Sequence, residues 1–213
     1  SNTAFANHGG TSAAAPHVGG ALVLLWDAGI TSPKVQKAIL INTAQTWSDN
    51  DTLSNYADDG TVNGDRWDNT YGWGMMDLQH AYFHRSNWFV DSVVANDSAP
   101  DDDDYKLYKG HMYANDKATV VWHRRAVYND DSEPATYYST TDINLRAYNA
   151  DTGTNFDSDT VHGGNNVHQI SSNASQDTVI KVYAWSNSID GASSEQFALA
   201  TEEGFTRAEP PLL

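Results

Sequence analysis

The sequence predicts an α/β portion over residues 1–87 followed by an all-β antiparallel sandwich over residues 88–213. Three observations carry this. Residues 12–28 form an apolar run ending in a helix-stop glycine, and a Ser-Pro helix start follows at Ser32-Pro33. From Trp88 onward, hydrophobic residues alternate with period two between Asp/Asn/Gly/Ser turns.

Taken in order, residues 12–28 are apolar on every side (Val18, Ala21, Leu22, Val23, Leu24, Leu25, Trp26), the pattern of a helix buried in a large core. Gly29 closes it as a C-terminal cap. Ser32 is the N-cap of a second helix with Pro33 at its first position, and Val35, Ala38, Ile39 and Ile41 give it one apolar face. A polar, Asp/Asn-rich stretch runs from Ser48 to Asn69, and a short helix is expected from Asp77 to about His84. Strands are then expected at Trp88–Ala95, Tyr105–Tyr113, Lys117–Arg124, Asp142–Asn149, Asn166–Ser171, Thr178–Trp185 and Gln196–Thr201. The Asp101–Asp104 run inside this half reads as a solvated loop or a calcium loop rather than a linker.

Composition narrows the function classes. The chain has 213 residues, enough for one large core or two small ones, and 7 Trp, 11 Tyr and 6 Phe supply bulky core material. The net charge is −16, and of the 28 acidic residues 23 are Asp and 5 are Glu. Asp belongs in turns and calcium loops, so the bias suits a loop-rich secreted protein or a salt-adapted one. It argues against nucleic acid, which a polyanion would repel. No apolar run approaches the ~18 residues a membrane span needs. No signal peptide is present, and Ser1-Asn2-Thr3-Ala4-Phe5 reads like domain interior, so an upstream segment is expected. The absence of cysteine excludes a disulfide framework and thiol chemistry.

The most informative segment is Gly10-Thr11-Ser12-Ala13-Ala14-Ala15-Pro16-His17-Val18-Gly19-Gly20. A glycine turn delivers a serine to the N-terminal end of a helix, where unpaired N–H groups and the macrodipole stabilise negative charge. A nucleophilic serine needs that setting, because its attack on a carbonyl creates an oxyanion beside it. The three alanines leave the approach uncrowded, and Pro16 sits early in the helix, where its missing N–H costs least.

This segment resembles the serine signature of the subtilases, and Tyr71-Gly72-Trp73-Gly74-Met75-Met76-Asp77-Leu78-Gln79-His80-Ala81 resembles the end of that family's catalytic domain. The resemblance implies that residues 1–87 are the C-terminal part of a subtilisin-like, parallel-sheet catalytic domain with Ser12 as its nucleophile. It implies a serine endopeptidase acting on polypeptide substrates, with no organic cofactor, no nucleic-acid partner and no membrane, secreted to the extracellular space. The family order is Asp, His, Ser, so the triad Asp and His are expected in the N-terminal part of the same protease, upstream of Ser1. His17, five residues past Ser12 and about 140° around the helix, points away from it and reads as structural. His8 has no assigned role. Asp151-Thr152-Gly153 and His162-Gly163-Gly164 mimic the family's acid and base turns but follow the serine, and Asp151–Gly153 reads as a hairpin tip.

The second half is similar to the C-terminal jelly roll of some secreted alkaline subtilases, on Asp142–Tyr148, Asn165–Val167, Val179–Ala184 and Gln196–Ala200. That implies a module packed on the catalytic domain and often holding structural calcium, for which Asp142, Asp157, Asp159 and Asn165 are oxygen ligands by type. Solvated turn carboxylates are the competing reading, and carbohydrate binding is another role open to the module. The alternative function is a catalytically inert remnant that acts as a secreted binding or structural module through the sandwich.

Overall fold

The computed structural model describes residues 10–45, 67, 72–94, 105–124, 126–127, 136–137, 141–160, 166–184 and 194–209. Local chemistry sets the helices. Helix α1 (Thr11–Asp27) stops where Gly29 takes φ 93°, which lets Ile30 N–H donate to Leu25 O and Gly29 N–H to Trp26 O, both at 2.9 Å. Leu25 and Ile30, the two ends of that cap, enter one buried cluster. Helix α2 (Pro33–Asn42) begins on Ser32 with proline at its first position, as expected, although the Ser32 side chain makes no capping bond. Helix α3 (Leu78–Phe83) is capped by Asp77, whose carboxylate accepts from His80 N–H at 2.9 Å.

Eleven strands follow among the described residues: β1 (Trp88–Val94), β2 (Tyr105–Met112), β3 (Lys117–Trp122), β4 (Ala126–Val127), β5 (Thr136–Tyr137), β6 (Ile143–Asn149), β7 (Asn155–Asp159), β8 (Val167–Ser171), β9 (Gln176–Ala184), β10 (Ser194–Thr201) and β11 (Phe205–Ala208). All pairings are antiparallel. A four-stranded sheet has the order β1-β10-β3-β8 and a five-stranded sheet the order β11-β2-β9-β6-β7, with β4 and β5 pairing separately. The seven strands expected from alternation are all present, with ends shifted by a residue or two; β7, β11 and the short β4–β5 pair are additional.

The two sheets face each other across one core. Val120, Trp122, Ile170, Phe197 and Leu199 of the first meet Tyr108, Met112, Ile143, Leu145, Ile180 and Val182 of the second. The opposite face of the four-stranded sheet is also covered. Val121, Val167, Ala198 and Ala200 pack against Val35, Ala38 and Ile39 of α2. Strands β3 and β10 are therefore buried on both faces, which is why their sequences read as nearly continuous apolar runs.

Polar bonds tie α2 to the sheet as well. Lys34 Nζ donates to Gln196 O at 2.7 Å, Lys117 Nζ to Ala44 O at 2.5 Å, and Thr119 Oγ1 to Asn42 Oδ1 at 2.9 Å. Near α3, Glu202 is the junction: it takes Lys117 N–H at 3.0 Å and lies 3.6 Å from His80 Nε2, while its carbonyl accepts from Asn87 Nδ2 at 2.6 Å. Burial pushes the Glu202 carboxyl above its ordinary range, with Lys117 opposing.

Among the described residues, the first 87 contribute helices and one isolated antiparallel bridge, Gln45 with Met75; the parallel sheet expected for that portion is not among them. The molecule as described is mostly antiparallel β. One expectation needs correction. Helix α1 is not enclosed: only Ala21 and Leu25 are buried, while Val23, Leu24 and Trp26 are 68%, 56% and 58% exposed. Its apolar character is uniform, but its contacts with the rest of the described residues use one narrow stripe.

Candidate active site

The N-terminus of α1 is built as the sequence requires. Gly10 adopts φ 85°, a left-handed conformation that a residue with a Cβ reaches only with strain. From that turn its carbonyl accepts from Ala13 N–H at 3.0 Å and Ala14 N–H at 3.2 Å, starting the helix. Thr11 and Ser12 thus occupy the first two helical positions, whose N–H groups have no intrahelical acceptor. Ser12 is exposed there. An open hydroxyl beside free donors at the positive helix end can attack a carbonyl and have the resulting oxyanion held nearby.

His17 Nδ1 lies 2.7 Å from Ala13 O. A carbonyl only accepts, so that nitrogen carries the proton and the ring is tied back along its own helix. His17 therefore braces the first turns of α1 rather than serving Ser12. His8, His162, Gly163, Gly164 and Asn165 lie outside the described residues. Asp151–Gly153 is the tip of the β6–β7 hairpin: Gly153 has φ 68°, and Asn149 Oδ1 accepts from Asp151 N–H at 3.0 Å and Thr152 N–H at 2.9 Å. That turn is held for its own geometry, at a hairpin end.

Of the calcium candidates, Asp142, Asp157 and Asp159 lie among the described residues, and each carboxylate is engaged by a protein donor. Residues Asp157 and Asp159 pair across the ladder with Ala147 and Leu145, so their side chains point inward with that pair. Asp157 Oδ2 accepts from Ser171 N–H at 2.6 Å and Asp159 Oδ2 from Gln169 N–H at 2.9 Å. Both bonds run to β8, the edge of the other sheet. The two carboxylates therefore stitch the open seam of the sandwich instead of lining a loop. The second oxygen of Asp159 lies 2.6 Å from His168 Nδ1, with both side chains buried and the His168 ring 5.1 Å from that of Trp122. Asp142 accepts from Asn144 Nδ2 at 3.2 Å. Among the described residues no group of three or more His, Asp or Glu is placed to hold a metal ion. Asp157 and Asp159 are committed to β8 N–H groups, and Asp159 also faces His168, so neither is presented on a loop as an open cation ligand.

A second constellation emerges only from the fold. His111 of β2 lies opposite Asp177 of β9, with Nδ1 2.8 Å from Asp177 Oδ1 and Nε2 2.9 Å from Ser175 Oγ. No spacing in the sequence marks it, because the ladder register aligns His111 with Asp177, 66 positions on, and the turn before β9 adds Ser175.

A serine placed by a left-handed glycine at the start of a helix is the setting of a serine hydrolase nucleophile. Consistent with that class, residues 1–74 match the sequence model of the Subtilase family, which supports a serine protease family for this part of the chain. The match includes the whole of α1 and α2 and ends before Asp77, so it covers Gly72 and Gly74 of the second motif but not its helical end. No curated protein matches the chain. Among the described residues no helix is long and apolar enough to cross a membrane.

Proposed function

We propose that Ser12 is the nucleophile of a secreted, subtilisin-like endopeptidase that hydrolyses polypeptides through an acyl-enzyme. The observation that carries this is the place of Ser12 at the second position of α1, two residues after left-handed Gly10, within the span that matches the Subtilase family. In this reading Oγ attacks the scissile carbonyl carbon. An upstream histidine takes the proton and returns it to the leaving amine, an upstream aspartate orients that histidine, and the Ser12 N–H helps hold the oxyanion. The aspartate and histidine come from an upstream segment or an associated chain.

The outward side of α1 supports such a complement. Val23, Leu24 and Trp26 are more than half exposed, and covering each contributes about 1.5–3 kcal/mol. Residues 88–213 act as the C-terminal jelly roll, holding the Ser12-bearing helices through α2. The alternative is an inert remnant that works as a binding module through the sandwich.

The test is fluorophosphonate labelling of the full-length protein, or of this chain with its N-terminal part, with the adduct mapped by peptide mass spectrometry. An adduct on Ser12 that is lost in Ser12→Ala supports the protease. A folded full-length protein with Ser12 unlabelled would sink it and leave the inert module.

A further inference from the structure

We propose that Ser175, His111 and Asp177 form a second reactive-serine site, on the outer face of the sandwich, whose substrates are small activated carboxylic esters. It does not depend on the assignment of Ser12.

The hydrogen-bond chemistry allows one consistent arrangement. An ionised aspartate only accepts, so the His111 nitrogen 2.8 Å from Asp177 Oδ1, Nδ1, carries the proton. Nε2 is then a bare lone pair, and the Ser175 hydroxyl, 2.9 Å away, donates to it. A nucleophile within reach of a base, with that base oriented by a third group, is the arrangement that activates a serine hydroxyl.

The three side chains are held by rigid elements. His111 and Asp177 are directly paired across the β2–β9 ladder and so project on one face. Ser175 is the residue immediately before β9, and the turn that leads into the strand brings its hydroxyl to His111 Nε2 at 2.9 Å. The turn before it is pinned: Ser172 Oγ donates to Ala174 O at 2.6 Å and accepts from Gln176 Nε2 at 3.0 Å, and Asn115 N–H donates to Ser172 O at 2.7 Å. The Tyr113 ring stands edge-on to His111 with centroids 4.8 Å apart, a wall on one side.

Reaction with an ester proceeds in two balanced steps. Ser175 Oγ bonds to the acyl carbon as its proton passes to His111 Nε2; the carbon–oxygen bond to the leaving group breaks, and that group departs with the proton. Water, deprotonated by the same nitrogen, then attacks the acyl-serine, and the acid leaves as Ser175 regains its proton. The His111 and Asp177 side chains are 38% and 59% exposed, so the site is open to solvent. Stabilisation of an oxyanion is weak in water, which confines the substrates to small esters with good leaving groups rather than peptides.

The experiment treats the 213-residue chain with p-nitrophenyl acetate and, separately, a fluorophosphonate, and maps adducts by peptide mass spectrometry at early times. The expected result is an adduct on Ser175 forming at least about tenfold faster than on any other serine of the chain, falling about tenfold or more in His111→Ala. Asp177→Asn, which permits the opposite ring tautomer, slows it as well, while circular dichroism confirms that both variants keep their sheet. Adducts spread evenly over exposed serines would overturn the proposal. So would a Ser175 rate unchanged in folded His111→Ala, or an adduct on Ser12 ahead of Ser175.

Discussion

Ile39→Ala probes the joint between the Ser12-bearing helices and the sandwich. Ile39 is 1% exposed and packs in one cluster with Leu25 of α1, Val35 and Ala38 of α2, and Val121, Ala198 and Ala200 of the sheet. Truncation removes three methyl or methylene groups from a site walled by strands that are laddered on both sides, so collapse into the cavity is limited. That places the cost at or above the middle of the range for such changes, about 3–4 kcal/mol. For a chain of this size the melting temperature should fall by about 7–14 °C. The assay is differential scanning calorimetry alongside far-UV circular dichroism. One transition, shifted whole, is expected, because α2 and both sheets share their burial. Two transitions, with the main β-sheet melt unmoved, would refute the reasoning and show that the helices unfold independently of the sandwich.

Three further outcomes are expected. Asp159→Asn should cost about 1–3 kcal/mol in urea titrations, since a single amide oxygen cannot face both Gln169 N–H and the buried His168 ring; a cost below about 0.5 kcal/mol would mean the second oxygen is dispensable. Glu202 has its carboxyl raised by burial, so the native state holds its proton to higher pH than the unfolded chain does, and its contribution to stability is lost as pH rises through the raised value. The stability of Glu202→Gln relative to the native protein should therefore improve between pH 4 and pH 8, and a gain growing towards acid would contradict this. Gly10→Ala meets no clash within 4 Å but keeps φ 85° only with about 1–2 kcal/mol of strain. It should slow labelling of Ser12 in the full-length protein about tenfold and lower the melting temperature by about 2–8 °C; unchanged labelling would show that the turn does not set the serine.

The helix ends and the central strands were legible because their signals are local. Gly29, Ser32-Pro33 and Asp77 act through the few residues beside them, and Val179–Ala184 is rich in the β-branched and aromatic residues that favour a strand. Strand β7 was not legible. Its inward positions carry Asp157 and Asp159, which by composition resemble a loop or a calcium site. Those carboxylates are tolerated inside because the unpaired edge of β8 supplies N–H donors to them, and that edge lies in the other sheet.

The serine motif, the helix that carries it and the positions of most strands are encoded locally, since each rests on residues within about one turn or one strand. What each face meets is settled by the folded molecule. It laid α2 over the four-stranded sheet, left Val23, Leu24 and Trp26 of α1 outward, turned two supposed calcium ligands into seam stitches, and aligned Ser175, His111 and Asp177. Sheet register and layer packing join residues that are distant in sequence, and neither periodicity nor spacing along one chain encodes which distant partner wins.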